Sequence, residues 1–146
     1  MSETTAPADV RRALLAARGR AYAPYSGHPV GAVVIGDDGS RHAGCNVEVA
    51  HYKGICAEAG AIAAMMAAGV RGIRAVYVLG PGGVPCTPCG DCRQRIREFA
   101  SPDTPIMTVD DGGRVLRRHD MQTLLPDAFG PENLAPASPL RAGAGG

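Results

Sequence analysis

Helical and strand spacings of apolar residues alternate along this chain. Between Asp9 and Gly19 the residues Val10, Ala13, Leu14 and Ala17 share one face of a short helix, with Asp9 as N-cap or first-turn charge. Residues 22–29 hold two prolines, a glycine and a serine, which reads as a surface loop carrying Tyr22 and Tyr25. Two β-prone runs, 30–35 and 42–49, flank Asp37-Asp38-Gly39-Ser40 and predict a hairpin. Good helix formers fill 56–68; the spacing puts Ala59, Ile62, Ala63, Met65 and Met66 on its buried side, and Gly69 stops it. A compact apolar strand over 75–79, a turn over 80–83 and a helix over 89–99 with Ile96 and Phe99 inward follow. Residues 105–109 and 115–118, separated by Asp110-Asp111-Gly112-Gly113, predict two more strands, and Leu124-Leu125-Pro126 ends a short helix. This order predicts an α/β fold with a mixed, about five-stranded sheet covered by helices. From Leu134 onward Ala, Pro, Gly and Ser dominate, so we expect one catalytic domain over 1–133 and a mobile, dispensable tail over 134–146.

Composition narrows the function classes. With 146 residues, 15.0 kDa and 45% hydrophobic residues, one core-forming domain is expected. The net charge is +1 and Lys53 is the only lysine, which disfavours a nucleic-acid backbone as partner. The apolar stretch at 57–68 is too short to span a bilayer, and residues 1–20 lack a signal-peptide pattern, so the cytoplasm is the expected compartment. Five cysteines without a framework of separated pairs fit metal or catalytic thiols in a reduced environment.

The chemistry concentrates in Cys56-Ala57-Glu58 and Pro88-Cys89-Gly90-Asp91-Cys92, each opening a predicted helix. A Cys-x-x-Cys turn and a third cysteine supply three thiolates, and catalytic zinc keeps three protein ligands and one open position. Glu58, two residues from Cys56, is placed as a proton carrier. Cys86, Cys89 and Cys92 form two overlapping Cys-x-x-Cys frames, between which spacing alone does not choose; Gly90 and Asp91 suit a turn into a helix and favour Cys89 with Cys92, leaving Cys86 a packed thiol like Cys45. His42, His51 and His119 lack ligand spacing and read as surface or turn residues. Gly80-Pro81-Gly82-Gly83 has no lysine or Walker pattern and reads as a turn.

Gly44-Cys45-Asn46-Val47-Glu48, Cys56-Ala57-Glu58, Pro88-Cys89-Gly90-Asp91-Cys92-Arg93-Gln94 and Leu124-Leu125-Pro126-Asp127-Ala128-Phe129-Gly130 occur in that order, preceded by Pro24-Tyr25-Ser26 and Pro29-Val30-Gly31-Ala32. Together, from about Tyr22 to Leu134, they resemble the small zinc cytidine deaminases. The resemblance implies a three-layer α/β/α fold and one Zn²⁺ per subunit on Cys56, Cys89 and Cys92, with Glu58 as catalytic acid and base. It also implies hydrolysis of cytidine or deoxycytidine to uridine or deoxyuridine plus ammonia, in nucleoside salvage. Asn46 and Glu48 are implied to hold ribose hydroxyls. Ala57, His28 and Phe129 are implied to contact the substrate, and a homotetramer is implied to share its sites between subunits. The chain departs from the family at His28, where an apolar aromatic ring is usual, at Val49 for asparagine, at Ala59 for arginine, and in a shorter 49–55 segment.

Three thiolates on one dication leave a net negative charge, which the N-termini of the helices at Cys56 and Cys89 are expected to offset, with Arg93 a candidate cation. Three other readings stand beside the first. One is a deaminase of a modified cytosine nucleoside of the blasticidin S type. The others are a non-catalytic zinc module in which Cys56, Cys86, Cys89 and Cys92 close a four-thiolate shell, and a dithiol redox protein.

Overall fold

The computed structural model describes residues 4–134. Of the expected 134–146 tail, everything after Leu134 therefore lies outside the described residues. The elements run α1 (Ala8–Gly19), β1 (Gly31–Gly36), β2 (Arg41–Cys45), α2 (Ala57–Ala67), β3 (Ile73–Leu79), α3 (Gly90–Phe99), β4 (Pro105–Val109), β5 (Val115–Asp120) and α4 (Met121–Leu124), then a 3₁₀ turn at Pro131–Asn133. The five strands form one mixed sheet in the order β2-β1-β3-β4-β5, antiparallel except for the β3–β4 pair. That parallel pair needs a crossover, which α3 supplies.

Both faces of the sheet are covered. Alternation along β1 sends Ala32 and Val34 to one side, where they meet Ala61, Ile62 and Met65 of α2, Ile96 of α3 and Met121 of α4. Val33 and Ile35 go to the other, against Val10 and Leu14 of α1. Every residue of β1 is buried, so this central strand reads as a continuous apolar run. Asp9 lies in the first turn of α1 rather than at its N-cap, which is Pro7.

In two places the fold differs from the pattern read along the chain. β2 ends at Cys45, and residues 46–49 leave the ladder as loop, tied by single bridges from Val47 to Tyr22 and to Ile55. α2 buries Ala57, Glu58, Ala61, Ile62 and Met65, while Ala63 is exposed and Ala59 half-buried. Apart from Glu58 this helix has no charged residue, so hydrophobic period could not choose its face; packing against β2 and β1 did.

That packing depends on Gly44. A Cβ there would lie 2.3 Å from the Ala61 nitrogen and 2.5 Å from the Ala57 carbonyl oxygen, both backbone atoms of α2. Gly44→Ala therefore separates strand and helix, and a loss of about 1–3 kcal/mol is expected in denaturant unfolding. Gly19→Ala, where the added methyl meets nothing within 4 Å, is the control and stays within about 0.5 kcal/mol.

Candidate active site

Strand register gathers the site. Gly31 at the start of β1 pairs with Cys45 at the end of β2 and with Leu79 at the end of β3. The segments entering β1, leaving β2 and leaving β3 therefore open at one end of the sheet. They carry His28, Asn46 and Glu48, and Cys86 with Cys89. The ends of strands in α/β sheets are where ligand crevices form. Here a cavity of 420 Å³ is lined by Ser26, His28, Val30, Asn46, Glu48, Cys56, Ala57, Glu58, Cys86, Thr87 and Cys89. A wider polar cleft of 620 Å³ between Arg18, Pro81–Gly83 and Asp110–Gly112 contains no cysteine and no histidine.

Cys56 is the N-cap residue of α2 and Cys89 that of α3. The sulfurs of Cys56, Cys89 and Cys92 lie within 4.8 Å of one another, with Cys56 and Cys89 3.7 Å apart. No other group of three potential ligands is found among the described residues. Three soft sulfur donors at the starts of two helices suit zinc, since the free N–H groups and helix dipoles there favour negative charge. Cys86 is outside the cluster: its sulfur lies 3.8 Å from His28 Nε2. The Cys89–Cys92 frame is thus the one that joins Cys56, and a four-thiolate shell does not form.

Burial pushes the Cys56 thiol up to about 11 and raises Cys92 strongly, with the Glu58 charge adding to the rise at Cys92. At Cys89 burial also pushes upward, but hydrogen bonds from the Cys92 backbone and the Cys92 and Cys56 thiols outweigh it and lower the pKa. With Cys92 buried, Cys56 half-buried and Cys89 exposed, the two thiols whose pKa is raised need a cation to become thiolates at neutral pH, which is the chemistry of a metal-binding set. Arg93 does not supply the offsetting charge directly; it donates to the carbonyls of Pro88 and Leu124. Arg95 pairs with Asp91 at 3.0 Å, and that carboxylate, more than the sulfurs, keeps its guanidinium charged.

Glu58 is 4% exposed and accepts a hydrogen bond from the Cys92 thiol at 3.2 Å. Burial holds its carboxyl above the usual range, against the lowering effect of its own backbone N–H and of Cys92. A carboxyl raised in this way holds a proton more readily than an exposed one, which suits it to carry protons in the cavity.

Asn46 and Glu48 line the cavity and also build its rim. Asn46 accepts from the Val30 N–H at 2.8 Å and donates to the His28 carbonyl at 2.9 Å. Glu48 accepts from the Tyr25 and Ser26 N–H groups and from the Ser26 hydroxyl at 2.5 Å, which together hold its carboxyl below the usual range. Ser26 was missed as a site residue, although the Pro24-Tyr25-Ser26 signature pointed to it; Thr87 had no signal beyond its place between two cysteines. Ala57 lies in the wall at 1% exposure. Phe129 does not line this cavity; it is 58% exposed, on a segment fastened to α3 by Gln94 at the Phe129 carbonyl and by the Arg97–Glu132 ion pair. His119 is half-buried rather than a surface residue, with its Nε2 sequestered and unpartnered, and it lies on β5, far along the sheet order from β2.

Residues 6–108 match the family model described as the cytidine and deoxycytidylate deaminase zinc-binding region. The cytidine deaminase of Sporosarcina psychrophila is 38% identical over 123 residues, which cover 84% of this chain and 90% of that protein. The crystal structure of cytidine deaminase from Burkholderia pseudomallei superposes with a TM-score of 0.77 at 39% identity, covering 88% of this chain and all of that one. That from Mycobacterium leprae gives 0.71 at 39% identity, covering 82% and 96%. Three clustered sulfurs, a buried glutamate beside them and this extent of likeness agree, and the chain belongs to the cytidine and deoxycytidylate deaminase zinc-binding family.

Proposed function

We propose that this protein is a zinc-dependent hydrolase that converts cytidine and deoxycytidine to uridine and deoxyuridine with release of ammonia, in pyrimidine salvage. The observation that carries the reading is the buried Glu58 carboxyl 3.2 Å from the Cys92 sulfur, at the wall of a cavity into which Cys56 and Cys89 also open. Cys56, Cys89 and Cys92 would hold the zinc, which when bound supplies Lewis acidity that lowers the pKa of water toward neutrality.

Glu58 does the proton work. Its carboxylate takes a proton from the attacking water and delivers it to the ring nitrogen N3 as the C4–oxygen bond forms. It then relays a proton to the amino group, so that the C4–nitrogen bond breaks with ammonia as leaving group. Its burial favours the protonated form at each point where a proton must be carried. Asn46 and Glu48 bind the ribose hydroxyls with the acceptor capacity left after they hold the rim. Ala57 and His28 form the wall against the base.

We also propose a homotetramer. Tyr25, Val49 and Tyr52 are exposed around a hollow that shares Ser26 and Glu48 with the pocket, and Phe129 is exposed away from its own cavity, so a neighbouring subunit is the place where it reaches substrate. No helix among the described residues is long and apolar enough to cross a membrane. All five cysteines are free thiols, which supports a cytoplasmic setting. We assign catalysis to the single domain over 1–133.

Purified protein is expected to release ammonia from cytidine and deoxycytidine and to elute at four times the 15.0 kDa protomer mass. Absence of ammonia from either nucleoside, with turnover of a blasticidin-type analogue instead, would move the assignment to modified cytosine nucleosides. The changes at His28, Val49 and Ala59 make that analogue the informative comparison.

A further inference from the structure

Behind the pocket wall, Gly80 has Cys86 and His28 on one side and Arg18 on the other. A Cβ at Gly80 would lie 2.6 Å from the Cys86 Cβ, 2.9 Å from its sulfur and 3.8 Å from His28 Nε2. The thiol therefore occupies space that any other residue at position 80 would fill. The Gly80 carbonyl accepts from Arg18 Nη1 at 2.8 Å, and Arg18 is itself gripped by both carboxylate oxygens of Asp111 at 2.8 Å. Helix α1 and the tip of the β4–β5 hairpin thus fix the backbone against which Cys86 rests.

On the facing side, the His28 backbone is held at both ends, its N–H donating to Ser26 Oγ at 3.1 Å and its carbonyl accepting from Asn46 Nδ2 at 2.9 Å. Among the described residues, the side-chain polar partner of the ring is the Cys86 sulfur at 3.8 Å. Both side chains line the cavity that holds Glu58.

We propose that Cys86 is a positioning residue for substrate binding: its thiol, wedged against Gly80, aims the His28 ring at the base of the nucleoside. The proposal rests on reading this cavity as the nucleoside site. Cys86 takes no part in proton transfer and holds no metal. A pocket wall made of an imidazole and a thiol keeps hydrogen-bonding capacity where a hydrocarbon wall would have none, so its orientation bears on which cytosine nucleoside is accepted.

The test is a steady-state comparison of Cys86→Ala, Cys86→Ser, His28→Phe and the Cys86→Ala/His28→Phe double variant on cytidine, with zinc content measured for each. Loss of one such hydrogen bond is expected to raise KM about fivefold in Cys86→Ala, with a smaller fall in kcat. Cys86→Ser, which keeps a donor and acceptor at that place, recovers most of the loss. In the His28→Phe background, Cys86→Ala adds less than about twofold, because the partner nitrogen is already gone. A KM unchanged in Cys86→Ala, or raised equally in both backgrounds, overturns the proposal. Should Cys86→Ala fail to fold, Cys86→Val, which fills the place without a donor or acceptor, decides in the two backgrounds: a KM effect of equal size in both overturns the proposal, and one confined to the His28 background supports it. Wild-type turnover of cytidine and its loss in Glu58→Ala, read in the same assay, test the nucleoside reading separately.

Discussion

Glu58→Ala protein is expected to bind zinc at one equivalent per chain and to lose turnover of cytidine by at least about 10³-fold, within the range for removal of a general acid and base. The reason is structural as well as chemical. Glu58 is not among the three clustered sulfurs, so its removal leaves the ligand set whole. Among the described residues it is the carboxyl that hydrogen-bonds to that set, and Glu48, the other carboxyl lining the pocket, is held by Ser26 and Tyr25 at the rim. Glu58→Gln keeps the shape and is expected to be as inactive, because an amide cannot cycle a proton. Metal analysis and ammonia release on the same preparation check this. Turnover within tenfold of wild type would remove Glu58 from the mechanism and with it the proton path.

The second large effect is expected at Cys92. Fully buried, it is the sulfur that contacts Glu58, and it sits in the first turn of α3, whose N-cap is Cys89. Cys92→Ala leaves two sulfurs, one short of a catalytic zinc set, so zinc content falls to background and activity with it. Thermal stability falls too, since zinc binding to the folded state alone adds to the unfolding free energy and is lost with the site. Zinc content separates this from Cys86→Ser, which is expected to keep one equivalent because Cys86 lies outside the cluster. Equal zinc loss in both variants would restore the four-cysteine module.

Much of this molecule was legible along the chain because the signals were local. Asp38-Gly39 between two β-prone runs specified the first hairpin, and Gly69, at a φ of 84°, ended α2 where a left-handed residue was needed. Pro105–Val109 appeared as a strand with the bounds expected of it. The cysteine spacings and Glu58 pointed to the metal chemistry for the same reason: a turn of two residues between Cys89 and Cys92, and one residue between Cys56 and Glu58, leave few geometries.

What the chain alone left open involved contacts between distant residues. The two Cys-x-x-Cys frames are equivalent in spacing; Gly90 and Asp91 favoured Cys89 with Cys92, and the meeting of the α2 and α3 N-termini puts those two, not Cys86, beside Cys56. The buried face of α2 was undetermined because alanine surrounds the helix, and Gly44 against its backbone settled it. Asn46 and Glu48 were read as strand-end ligands for ribose; the fold showed them also anchoring the 25–30 loop, a role with no signature in sequence because the partners are backbone groups some 20 residues away.

By itself, then, the sequence determined the element order, the mixed α/β sheet, the three candidate zinc ligands and the glutamate beside them, since each rests on residues within a few positions of one another. The tertiary structure alone decided that Cys86 rests against Gly80 and His28, that Asn46 and Glu48 anchor the rim, and that Phe129 lies outside its own pocket. Those outcomes depend on strand register and helix packing, which bring residues dozens of positions apart within a few ångströms and which no local spacing encodes.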